Sequence, residues 1–184
     1  MYRMAMITMF PPASLAAKIN IPHCMKMALV HDMAEALVGD ITPVDGIAKH
    51  EKSRRESTTM DYFAKKLLGN VGGGMAAEEM RAIWQEYEDS KTVDSHFVHD
   101  VDKIELMLQM IEYERAKEGT LDLGEFTWVA SRIALPEVKE WANEILNERE
   151  EFWATKPHSK YDELRLPEAG ILAQKLEYYG NGKE

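Results

Sequence analysis

The sequence predicts an all-α helical bundle, and three observations carry that prediction. Apolar residues recur at helical spacing in one segment after another, most clearly where Phe97, Val101, Ile104, Leu108 and Ile111 step by four, three, four and three. No convincing period-two alternation announces a strand, and no internal repeat is present. Proline and glycine fall where helices start and stop, at Pro22, at Gly39 and in the run GNVGGG.

The first helix is expected over residues 1–9, with Met1, Met4 and Ile7 or Thr8 on one side. Its pattern begins at residue 1 with no side chain to satisfy the orphan N–H groups, so the chain enters a helix already under way. That hints at a missing upstream segment, from truncation or a misplaced start codon. A signal peptide is the poorer reading, because Thr8 interrupts the apolar run, Pro11-Pro12 breaks it and no good cleavage site follows. A second helix runs from Pro22, which a first turn tolerates, to Val38. Met25, Leu29, Asp32 and Ala36 form its stripe, with Ala28 and Met33 beside it. Gly39 stops this helix, and Asp40, Thr42 and Pro43 form a loop. A charged third helix starts near residue 50, in KHEKSRRESTTMDYFAKKLLG, and GNVGGG is a flexible break. MAAEEMRAIWQEYED is the fourth helix, with Met80, Ile83, Trp84 and Tyr87 inward. DSHFVHDVDKIELMLQMIEYERA, the fifth, carries the stripe given above. LPEVKEWANEILNEREEFW, the sixth, turns Val138, Trp141, Ala142, Ile145, Leu146, Phe152 and Trp153 to its apolar side. From about residue 155 the chain is polar and aperiodic. One domain over 1–153 and a polar extension over 154–184, ending in a disordered YYGNGKE, is the expected organisation.

The net charge of −10 repels nucleic-acid phosphate, which argues against a nonspecific nucleic-acid binder but not against a small anionic substrate met by a metal or local cations. No apolar run approaches the ~20 residues that span a bilayer, so no membrane partner is expected. The single cysteine, Cys24, rules out an intrachain disulfide and suits a reducing, cytoplasmic setting.

Chemistry concentrates in ALVHDMAEALVGD. A helix facing an apolar core carries His31, Asp32 and Glu35 there, and Asp40 follows its glycine stop. Residues three and four apart share a helix face, so Glu35 lies near both His31 and Asp32. An imidazole and a carboxylate are good ligands for a first-row divalent metal, but the pair cannot complete a coordination shell. Another helix must contribute, and the candidate is Asp102, next to the core stripe at Val101. A carboxylate there is costly unless paired or metal-bound. Glu105 and Gln109 continue the same edge, so a polar seam is an alternative. Each residue also has a plainer reading: a satisfied His31, a local His31–Asp32 ion pair, a solvated Glu35, a capping Asp40, and Asp102 paired with Lys103 or a distant Arg. His23, His50, His96, His99 and His158 show no partner pattern and read as surface residues. Met25, Met27, Met33, Met107 and Met110 read as core packing. Lys52, Arg54 and Arg55 read as a solvated face, with a phosphate contact as the alternative.

MALVHDMAEALVGDITP resembles the central signature of the HD-domain phosphohydrolases, and FVHDVDKIELMLQMIEYE resembles the helix that bears their last metal-binding aspartate. The similarity is closer to the 5′-deoxynucleotidase branch of the HD-domain-containing-protein-2 type, which the bacterial deoxyribonucleoside-monophosphate phosphatase also resembles. It covers about residues 1–153, with KSRRE and IWQEYED matching as well, and the extension resembles fungal members. The resemblance implies an all-α bundle around a metal site. It implies metal ligation by His31, Asp32 and Asp102, and water activation or substrate contact by Glu35 and Asp40. The family's first metal histidine, and its upstream phosphate-contacting arginine, would fall before residue 1.

The expected function is metal-dependent hydrolysis of deoxyribonucleoside 5′-monophosphates to deoxyribonucleosides and phosphate. Mixed N and O ligands suit manganese, cobalt, iron or zinc, with magnesium less natural at a histidine. The alternatives are another HD phosphohydrolase, such as a cyclic nucleotide phosphodiesterase or a triphosphohydrolase, and an inactive helical binding module. A homodimer is expected from related proteins and from the large apolar surfaces of Trp84, Trp141 and Trp153.

Overall fold

The stripe from Phe97 to Ile111 becomes the axis of the molecule. The structure is a computed structural model that describes residues 1–42 and 45–156, so the extension beyond 156, His158 and the loop residue Pro43 lie outside the described residues. Eight α-helices run in order: α1 (Tyr2–Ile7), α2 (Ala13–Ala16), α3 (Ile21–Val30), α4 (Glu35–Val38), α5 (Lys49–Tyr62), α6 (Met75–Asp89), α7 (Val93–Ala116) and α8 (Pro136–Ala154). A π-helical turn (Phe63–Leu67) extends α5, and 3-10 segments occupy Val71–Gly74 and Gly124–Arg132. There is no strand among the described residues.

α7 starts on a reciprocal cap. Thr92 Oγ1 accepts from the Ser95 N–H at 3.0 Å, and Ser95 Oγ accepts from the Thr92 N–H at 3.1 Å. Phe97, Val98, Val101 and Met107 are fully buried along it, each worth roughly 1.5–3 kcal/mol of transfer free energy. α1 and α3 pack on one flank of α7, and α8 on the other. Arg3 of α1 bonds Glu105 at 2.9 Å and Glu112 at 2.6 Å, and Gln109 donates to Glu105 at 2.7 Å. Glu105 and Gln109 therefore form the polar seam, and Asp102 is left out of it. At the other end of α7, buried Arg149 pairs with Glu114 at 2.8 Å and Asp122 at 2.6 Å, while Trp153 Nε1 donates to Glu114 at 3.0 Å. Buried Asp100 accepts the Ala134 and Leu135 N–H groups at 2.9 and 2.8 Å, fixing the chain where it enters α8.

The second predicted helix is not continuous. α3 ends at Val30, residues 31–34 form tight turns, and α4 resumes at Glu35. The bonds here run three residues back: Met33 N–H to Val30 O at 3.0 Å and Glu35 N–H to Asp32 O at 3.0 Å. The cause is α6. Trp84 Nε1 donates to the His31 carbonyl at 3.1 Å, the acceptor that Glu35 N–H would use in a regular helix. The buried face of this region is Cys24, Met27, Ala28, His31 and Ala34, whereas Leu29 and Ala36 are exposed. The predicted stripe is thus turned, because IPHCMKMALV is apolar nearly all round and its period cannot choose a face. Trp84 and Trp153 are buried too, so neither offers surface to a partner, and Trp141 is half-buried.

Candidate metal centre

His31 caps the C-terminus of α3 and is buried beneath α7. Its Nδ1 donates to the Ala28 carbonyl at 3.0 Å, an acceptor only, so Nδ1 holds a proton and Nε2 faces outward. Nε2 lies 2.9 Å from Asp32 Oδ2 and 3.9 Å from Asp102 Oδ1. It is buried and makes no hydrogen bond of good geometry. The structure therefore joins His31, Asp32 and Asp102 around one orphaned nitrogen. Lys103, the alternative partner for Asp102, instead reaches the His99 carbonyl at 2.9 Å and Asp100 at 3.5 Å.

The charges interlock. Burial opposes the charged imidazole of His31, but the Asp32 hydrogen bond and the Asp32 and Asp102 charges outweigh it and raise its pKa. Burial also opposes the Asp32 carboxylate, yet His31 lowers it below the usual range. Asp102 keeps 49% of its side-chain surface open. It sits deep enough between helices that desolvation still raises its pKa, against the pull of His31. Glu35, the first residue of α4, is half-buried and pushed up to about 7, by desolvation first and then by Asp32 and Asp40. Asp40 is exposed just past Gly39, whose φ of +78° turns the chain out of α4. Asp32, Glu35, Asp40 and Asp102 thus surround His31 with negative potential, and a lone-pair nitrogen at its centre suits a divalent cation. Beside it, Met1, Asp32, Met33, Glu35, Ala36 and Phe63 line an open depression of about 450 Å³, within the size range of small-ligand sites.

Several residues around this centre escape sequence reasoning. His99 is not a surface residue: its ring stacks on Tyr87 at 3.8 Å, its Nε2 donates to the Tyr87 carbonyl at 2.9 Å, and Tyr87 lies 5.0 Å from His31. Burial, then Lys103, lowers the His99 pKa to about 4. His23 is not unpartnered either, since its Nε2 lies 2.7 Å from Glu86. Arg54 and Arg55 do form a solvated face, both bonded to Glu51. Lys52 does not: it donates to the Ile41 carbonyl at 3.1 Å and lies 3.6 Å from buried Glu56, under the segment that carries Asp40. The i,i+4 spacing of Lys52 and Glu56 is a sequence signal for the pair, but not for its burial.

Comparison with known proteins gives a consistent picture. The HD domain family model matches residues 1–142. The 5′-deoxynucleotidase hdd1 of Schizosaccharomyces pombe is 44% identical over 160 residues, which are 87% of this chain and 79% of that protein. The 5′-deoxynucleotidase YBR242W of Saccharomyces cerevisiae is 40% identical over 84% of this chain and 63% of its own length. Among solved structures, the HD domain-containing protein YGK1 superposes with a TM-score of 0.64 at 30% identity, over 83% of this chain and 76% of that one.

Proposed function

The chain belongs to the HD-domain family, and on that premise we propose that it is a metal-dependent 5′-deoxynucleotidase. The reaction releases phosphate and a deoxyribonucleoside from a deoxyribonucleoside 5′-monophosphate. The observation that carries the reading is the orphaned His31 Nε2 between Asp32 and Asp102, beside a depression of ligand size. Relatives named 5′-deoxynucleotidase at 44% and 40% identity favour it over other phosphohydrolase chemistry and over an inactive binding module.

His31, Asp32 and Asp102 would hold the ion. When bound, such an ion polarises a phosphoryl oxygen and lowers the pKa of water. The Ala28 carbonyl fixes the His31 tautomer and Trp84 fixes its backbone, so the ligand nitrogen is oriented in advance. Hydrolysis exchanges the phosphorus–O5′ bond for one to a water oxygen. Glu35, on the wall of the depression, orients that water and takes its proton. Asp40 hydrogen-bonds the sugar or assists the proton's passage to the leaving O5′. Manganese, cobalt, iron, zinc and magnesium are the candidate ions. A cytoplasmic location and the absence of nucleic-acid and membrane partners belong to the same proposal. No helix of the described residues is long and apolar enough to cross a membrane.

Replacing Asp102 by Ala is expected to lower metal-dependent phosphate release by about 100-fold or more. Undiminished metal binding and turnover in that variant would overturn the assignment.

A further inference from the structure

Away from this centre, three helices bring a second set of metal-ligating side chains together. His23 lies in the first turn of α3, Glu86 near the end of α6 and Asp94 in the first turn of α7. One donor atom of each lies within 4.8 Å of the other two, and among the described residues this is the trio that converges so tightly. Ligands at 2.0–2.2 Å from one ion sit about 3–4.4 Å from each other, so one ion spans the three with side-chain adjustment alone. The carboxylates are already oriented. Thr92 Oγ1 donates to Glu86 Oε1 at 2.6 Å, which leaves Glu86 Oε2 facing His23 Nε2 at 2.7 Å. The Asn20 N–H donates to Asp94 Oδ1 at 3.0 Å, and the Asn20 side chain caps α3 through the His23 N–H at 3.2 Å. Such outer contacts are what hold ligands in place at metal sites.

We propose that His23, Glu86 and Asp94 form a second divalent transition-metal site that clamps α3, α6 and α7 together. One imidazole and two carboxylates suit zinc, or manganese or cobalt. The surroundings agree with a demand for positive charge. The neighbouring Cys24 thiol is pushed up to about 12, by burial first and then by Asp94 and Glu86.

The placement gives the clamp a purpose. His31 follows His23 by eight residues along α3 and its cap, and Asp102 follows Asp94 by eight along α7. The two helices therefore run parallel, with a His–Asp rung at each end, about 12 Å apart. An ion on the first rung fixes the register of α3 against α7, and so the approach of His31 to Asp102 on the second.

The test uses the full chain, stripped with chelator and titrated with Zn²⁺ alone, while imidazole ¹⁵N resonances report each histidine. The expected result is a metal-induced shift of His23 Nε2 that persists in Asp102→Asn. The paired variant His23→Gln, Glu86→Gln should weaken binding at this site about tenfold or more and abolish the accompanying rise in Tm. An unmoved His23 resonance in the unsubstituted chain at saturation, or equal ion stoichiometry with and without the paired substitution, overturns the proposal and leaves a His–Glu ion pair. The readout needs no turnover, so failure here is distinguishable from failure of the hydrolase reading.

Discussion

His31 shows how much of a ligand's behaviour is set by groups that are not ligands. Its proton is placed by a backbone carbonyl, its backbone by the indole of Trp84, and its ring backs onto Tyr87 and His99. The His-Asp doublet and Asp102 are legible in the sequence because charged groups inside apolar helices need a reason. His99 is not legible, because its burial comes from α6, distant in sequence. That burial has a pH signature. With a native pKa of about 4 against an ordinary value of 6.5, His99 binds its proton more readily in the unfolded chain. Its neutral form therefore supports the fold fully above pH 6.5, and the support is lost as pH falls toward 4. Lys103, His31 and His96 face it with charge of the same sign and hold the pKa down with burial. Urea unfolding of the parent and of His99→Gln should diverge from pH 7 to pH 4 by about 2–3 kcal/mol, the parent losing more. Parallel profiles would contradict the assignment.

At the scale of the element, periodicity finds α6, α7 and α8 with their buried faces, because each has one apolar stripe and a polar remainder. It misses the break after Val30 and the 3-10 segment Gly124–Arg132, whose i→i+3 spacing a 3.6-residue search blurs. It also misses what closes the far end of the bundle. Glu114 and Arg149 read as ordinary charged positions on α7 and α8, yet both are buried, with Asp122 and Trp153 completing the network. Removing one partner leaves the others charged and unpaired. Arg149→Met is therefore expected to destabilise the fold by about 3–5 kcal/mol, measured by chemical denaturation. A loss within about 0.5 kcal/mol would show that the network is incidental.

For the whole molecule, the sequence conveys the all-α class and the order of the main helices, but not which surfaces remain open. Two of the three tryptophans expected to serve a partner are spent inside. The third, Trp141, lines an exposed apolar groove with Ile7, Phe10, Ile104, Leu108 and Ile145, between α1, α7 and α8. We place the proposed homodimer contact there. Sedimentation should show concentration-dependent pairing that Phe10→Ser weakens, and a monomer at every concentration would remove the dimer from the account.

The central claim is that His31, Asp32 and Asp102 act together as the metal centre of a phosphomonoester hydrolase. Its most direct test is phosphate release from a deoxyribonucleoside 5′-monophosphate, measured with added cobalt or manganese, with chelator, and in Asp102→Ala. The account predicts release that depends on the metal, stops with chelator and falls by about two orders of magnitude in the variant. Release that ignores both the chelator and the substitution would contradict it.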